Sequence, residues 1–91
     1  MTKEKSIVKA IKGYLESQGF VVFKLHGGPQ QQAGLPDLLA IKDGQAYWFE
    51  CKRPGEKATK IQEYMLGKLR EAGCLVAVVS SVDEIREALK P

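Results

Sequence analysis

The chain has 91 residues, 44% of them hydrophobic, which supplies one modest core and leaves no room for a second domain. A net charge of +3 with 27% charged residues permits nucleic acid as a partner without making the chain a polybasic arm. The apolar run from Cys74 to Val79 is too short to span a bilayer, and "MTKEKS" lacks a signal peptide's apolar region, so a cytoplasmic protein with no membrane partner is predicted. Cys51 and Cys74 lack CxxC spacing and His26 is the only histidine, so neither a zinc site nor a disulfide framework is indicated. Both cysteines read as reduced, buried, small apolar residues.

Residues Lys3 to Ser17 place Ile7, Val8, Ile11, Tyr14 and Leu15 at the spacing of one apolar helical stripe. Thr2 is the expected cap at its start, and Gly19 lies just past its end. Glu4 precedes Ile7, Val8 and Ile11 by three, four and seven residues, at the head of the buried stripe. It either favours the helix dipole or faces a site beyond the helix end. "FVVFKLH", Phe20 to His26, is β-branched and aromatic and predicts a strand. "GGPQQQAGL" follows and predicts a loop.

Leu35 to Gly55, "LPDLLAIKDGQAYWFECKRPG", reads as strand, Asp43-Gly44 turn, strand. A two-residue turn pairs Lys42 with Gln45 and, counted outward along both strands, Asp37 with Glu50. Directly opposed carboxylates repel. Because side chains alternate along a strand, Lys52 joins the face of Glu50 while Cys51 points away. Two carboxylates and a lysine at one spot suit Mg²⁺ or Mn²⁺, hard ions that bind one or two protein carboxylates together with substrate phosphate. The competing reading makes Asp37 part of a Pro-Asp turn and leaves Glu50 and Lys52 as solvated strand ends.

Thr59 and Gln62 form a capping box for a helix carrying Ile61, Met65, Leu69 and Ala72, which Gly73 ends. "LVAVV", Leu75 to Val79, reads as a strand covered on both faces. Ser81 and Glu84 form a second capping box, opening a last helix with Val82, Ile85 and Leu89 on one side. The predicted order is α-β-β-β-α-β-α, without internal repeats.

Pro36-Asp37, a twelve-residue gap, then Glu50-Cys51-Lys52 resembles the PD-(D/E)XK nuclease signature. With Gly34-Leu35-Pro36-Asp37, the run Glu50 to Pro54, the early Glu4 and the helical Gln62, the whole chain is similar to a stand-alone VRR-NUC domain. The resemblance implies an α/β (α+β), restriction-endonuclease-like core with a central mixed four-stranded sheet flanked by helices. It also implies metal-dependent phosphodiester cleavage in DNA, and stand-alone members resemble Holliday-junction resolvases acting as homodimers on branched DNA. Under it, Asp37, Glu50 and the Cys51 carbonyl are the metal ligands, with Glu4 reaching the ion through water. Lys52 is the catalytic lysine, and Gln62 joins the site. Lys24, Arg53 and Lys57 are candidate phosphate contacts, their alternative being ordinary solvated charge. His26 has no partner in the sequence and is assigned no catalytic role.

The rival function is a non-cleaving DNA-binding subunit, and a further alternative is a nuclease of flap or linear DNA in repair. A sequence-specific restriction enzyme is disfavoured because little chain remains for a base-reading element. The loop Gly27 to Gly34 is the candidate element for adapting to a junction.

Overall fold

The computed structural model describes residues 3–25, 27–28 and 31–91. Its elements run α1 (Glu4–Ser17), β1 (Val21–Lys24), β2 (Leu38–Lys42), β3 (Gln45–Cys51), α2 (Lys60–Glu71), β4 (Leu75–Val79) and α3 (Val82–Ala88). The fold is α+β, one mixed four-stranded sheet in the spatial order β1-β2-β3-β4 flanked by helices. β1, β2 and β3 pair antiparallel, while β4 joins β3 in parallel. A parallel neighbour requires a crossover, and α2 supplies it. No helix among the described residues is long and apolar enough to cross a membrane.

The hairpin sets the register of the whole sheet. Asp43 (φ 53°) and Gly44 (φ 76°) both adopt the left-handed conformation, the turn geometry whose twist matches that of the strands it joins. Lys42 therefore pairs with Gln45 and Leu38 with Phe49, as counted from the sequence. Alternation then places Leu38, Ala40, Phe49 and Cys51 on one side, where they pack with Ile7, Val8, Ile11 and Leu15 of α1, Val79 of β4 and Ile85 of α3. Glu50 falls on the opposite side.

Several local expectations are corrected. α1 begins at Glu4 with Lys3 as its N-cap and no side-chain cap, and Thr2 lies outside the described residues. β1 is shorter than the predicted Phe20 to His26; Phe20 leaves the ladder to enter the core, and His26 lies outside the described residues. In α2 the buried residues are Met65 and Leu66, whereas Ile61 is exposed. β4 is not covered on both faces: it is a sheet edge, and Leu75 and Val78 remain exposed. At α3 only half of the expected capping box forms. The Ser81 hydroxyl accepts from the Glu84 N–H, but the Glu84 carboxylate turns to the Ser80 N–H and hydroxyl. Cys74 is half-buried rather than buried.

Candidate active site

Asp37 is placed by the tight passage that precedes it. Gly34 has φ +84°, and a Cβ there would stand 2.6 Å from the Ile61 carbonyl oxygen, so the loop can lie against the first turn of α2 only with glycine at this position. Pro36 is fully buried, and the Leu25 N–H donates to the Asp37 carbonyl at 2.8 Å, continuing the alignment of β1 and β2 past the end of the ladder. Gly34→Ala is expected to cost at least about 2 kcal/mol, the left-handed backbone strain of a non-glycine residue plus the clash with the helix. Thermal unfolding of the metal-free protein checks it. An unchanged melting temperature would show that the loop does not seat on α2 as described.

Asp37 lies one residue outside β2, so it is not a ladder partner of Glu50. Instead its Oδ2 accepts from the Cys51 N–H at 2.8 Å, which anchors the carboxylate across the end of β3. The sequence reading assigned the Cys51 carbonyl to the site and missed its N–H. The hairpin register sets residue 37 opposite residue 50, and because the ladder stops at Leu38 the Asp37 carboxylate is free to reach the next N–H along β3.

Glu50 is 2% exposed. Its Oε2 receives Lys52 Nζ at 3.3 Å and Gln62 Nε2 at 3.1 Å, while its Oε1 is buried with no hydrogen-bond partner among the described residues. Burial pushes the carboxyl pKa up to about 7, the Asp37 charge pushes the same way, and Lys52 offsets part of the rise. The Cys51 side chain faces the core on the other side, where burial, with Asp37 and Glu50 adding to it, lifts the thiol to about 12 and keeps it protonated.

Glu4 opens α1 and completes the cluster. One carboxylate oxygen from each of Glu4, Asp37 and Glu50 lies within 4.8 Å of the others. Gln62 has two roles at once. Its Oε1 accepts from the Thr59 N–H at 2.9 Å in the capping box, which orients the amide so that Nε2 faces Glu50. The remaining cationic candidates lie outside the cluster. Lys24 is exposed on β1, Arg53 pairs with Glu56, and Lys57 is exposed beside a separate cleft that Glu63, Leu66 and Arg70 also line.

The donor set is all oxygen and carries up to three negative charges against one lysine. A buried carboxylate oxygen without a donor is costly unless something positive reaches it. The cluster therefore fits a hard divalent cation with oxygen ligands.

Comparison with known proteins agrees with this geometry. Residues 2–73 match the family described as archaeal Holliday junction resolvase (Hjc). The phage protein p44, named as a nuclease, of Acyrthosiphon pisum secondary endosymbiont phage 1 is 32% identical over 84 residues, covering 91% of this chain and 88% of that one. A solved VRR_NUC domain superposes with a TM-score of 0.81 at 29% identity, covering 96% of this chain and 94% of that one. A second, a VRR_NUC domain protein, gives 0.79 at 18% identity over 97% and 85% of the two chains, a likeness of fold.

Proposed function

Because the chain belongs to the archaeal Holliday junction resolvase (Hjc) family and is similar in structure to a VRR_NUC domain, we propose that it is a Mg²⁺- or Mn²⁺-dependent endonuclease that cuts four-way DNA junctions as a homodimer. The observation that carries the reading is the bare Oε1 of Glu50 inside a cluster of three carboxylates. Asp37, Glu50 and the Cys51 carbonyl would hold the cation, with Glu4 reaching it through water. When bound, the cation supplies an acidified water and a counter-charge for the phosphate.

The chain's own groups do the rest. Lys52 is held against Glu50, 12% exposed, with ammonium donors left for the attacking water and for the charge that develops on the phosphate. In the reaction, the water oxygen forms a bond to phosphorus, one ester oxygen leaves, and the proton lost by water ends on the leaving oxygen or in solvent. The Gln62 amide and the Cys51 N–H hold the two carboxylates in fixed orientations, so little reorganisation is needed as charge moves. Lys24, Arg53 and Lys57 would meet phosphates at the margins. A DNA-binding subunit that never cuts would have no use for this repelling pair of carboxylates, so their presence with Lys52 favours catalysis. The test is a gel comparing four-way, flap and linear duplex DNA with and without Mg²⁺. Cutting of the four-way junction alone, abolished by EDTA, is the expected result; equal cutting of linear duplex would remove the junction specificity.

For the dimer, the supporting feature is the bare outer face of β1. Val22 packs inward, while its neighbours Val21 and Phe23 are 58% and 51% exposed. Apolar side chains in a row along an edge strand are a surface that a second copy can cover. Two-fold pairing there would give two sites for two strands. Phe23→Glu is expected to halve the mass measured by light scattering and to turn paired junction cuts into single nicks. A wild-type protein that is already monomeric at every concentration would defeat this assignment.

A further inference from the structure

At the end of the molecule away from the carboxylates, a cleft of about 440 Å³ is lined by Tyr14, Phe20 and Tyr47 together with Lys42, Arg86 and Lys90. Both α1 and β2 run toward it from the cluster: α1 starts at Glu4 and reaches the cleft at Tyr14, and β2 starts beside Asp37 and ends at Lys42. At 1.5 Å per residue the stretch of α1 from Glu4 to Tyr14 spans about 15 Å. Cleft and cluster are thus separate places on one chain.

The cations are held there chiefly by groups that leave their charge intact. Lys42 Nζ donates to the Gln18 carbonyl at 2.8 Å and sits 5.4 Å from the centre of the Phe20 ring. The Arg86 guanidinium lies 5.2 Å from the centre of the Tyr14 ring. Ring faces and a carbonyl fix positive groups in position without neutralising them. Arg86 and Lys90 also pair with Asp83 and Glu87, but both carboxylates are well exposed, at 88% and 70%, where water screens such pairs. Asp43 is the one acidic side chain in the lining, against three cations.

An anionic group with a flat apolar body fits this combination, and a nucleotide has both. We propose that the cleft takes one nucleotide of a DNA strand remote from the cut, its phosphate meeting Lys42 and Arg86 and its sugar and base resting against the tyrosines. This rests on DNA being the substrate, and it adds a contact outside the cutting site. With a rise of about 3.4 Å per nucleotide, about 15 Å corresponds to roughly four to five nucleotides from the scissile phosphate. The contact therefore depends on arm length.

The test uses the full chain without metal, so that it does not depend on cutting. Fluorescence anisotropy measures affinity for labelled four-way junctions with arms of four and of twelve base pairs. Wild-type protein is expected to bind the long-armed junction about tenfold more tightly, and loss of two phosphate contacts in Lys42→Gln/Arg86→Gln should erase that difference and flatten the salt dependence. Junction cleavage in Mg²⁺ at saturating DNA should stay at the wild-type rate. A double variant that keeps the arm-length preference and the salt slope would overturn the proposal while leaving the nuclease reading intact. If the double variant fails to fold, amide NMR of the wild type titrated with a twelve-nucleotide oligothymidylate decides the matter. Shifts at Gln18, Asp43 and Tyr47 support the contact, and their absence overturns it. Thymidine monophosphate that competes as strongly as the oligonucleotide would also overturn it, making the cleft a small-molecule site.

Discussion

Glu50→Gln is expected to lower Mg²⁺-dependent cleavage by at least about a thousandfold and, in the same protein without metal, to raise stability at pH 8. The two effects have one cause. Glu50 is buried beside Asp37, and burial with the Asp37 charge pushes its carboxyl up to about 7 from its ordinary 4.5. Between those values the folded state binds a proton that the unfolded state does not, so the Glu50 carboxyl costs no stability below pH 4.5, costs more as pH rises, and reaches its full deficit above pH 7. At 1.36 kcal/mol per pKa unit, the deficit at pH 8 is on the order of 3 kcal/mol. A neutral glutamine escapes it. Melting curves in EDTA should therefore show the variant above the wild type at pH 8 and the two converging near pH 4.5. Asp37→Asn should lose cleavage likewise and should bring the Glu50 carboxyl back toward its ordinary range. Retained cutting in either variant would remove the cluster from catalysis, and a wild type whose metal-free stability is flat from pH 5 to 8 would contradict a buried, strained Glu50.

The hairpin was legible because its register follows from two residues. Asp43-Gly44 forces a two-residue turn, and every pairing along β2 and β3 then follows from counting, including the faces of Glu50, Cys51 and Lys52. Counting fails at Asp37 because the ladder stops at Leu38, and from there side-chain hydrogen bonding rather than strand pairing decides where the carboxylate goes. The rotation of α2 escapes the apolar pattern for a related reason. Apolar spacing alone favoured Ile61, Met65, Leu69 and Ala72, whereas the stripe that faces inward is Gln62, Met65, Leu66 and Leu69, with a polar residue at its head. Glu4 stands in the same relation to Ile7, Val8 and Ile11 on α1. In both helices a polar side chain occupies the first position of the buried stripe, and both meet Glu50's neighbourhood. A polar residue three and four positions ahead of buried ones is thus a sequence signal for a site at a helix start; it is plain at Glu4, whereas at Gln62 the capping box accounts for the same residue and hides it.

Lys52→Ala is expected to lower the single-turnover cleavage rate by roughly 100- to 1000-fold, the usual loss when one donor to transition-state charge is removed. Affinity for junction DNA should change by less than about threefold, because a group used only in the transition state lowers turnover rather than binding. Lys52 is the positive group that holds the Glu50 carboxyl down against burial and Asp37, so its removal lets that carboxyl rise further. Protons then compete more strongly for the metal ligands, and Mg²⁺ affinity near pH 7 should weaken. Raising the pH to about 9 deprotonates Glu50 and should restore metal affinity, whereas the cleavage rate at saturating metal should stay low. This separates the two functions of the lysine: keeping Glu50 ionised, which alkali can replace, and donating to the reacting phosphate or water, which it cannot. Recovery of the full rate at high pH would reduce Lys52 to an electrostatic partner of Glu50, and equal losses in DNA affinity and rate would make it a phosphate contact.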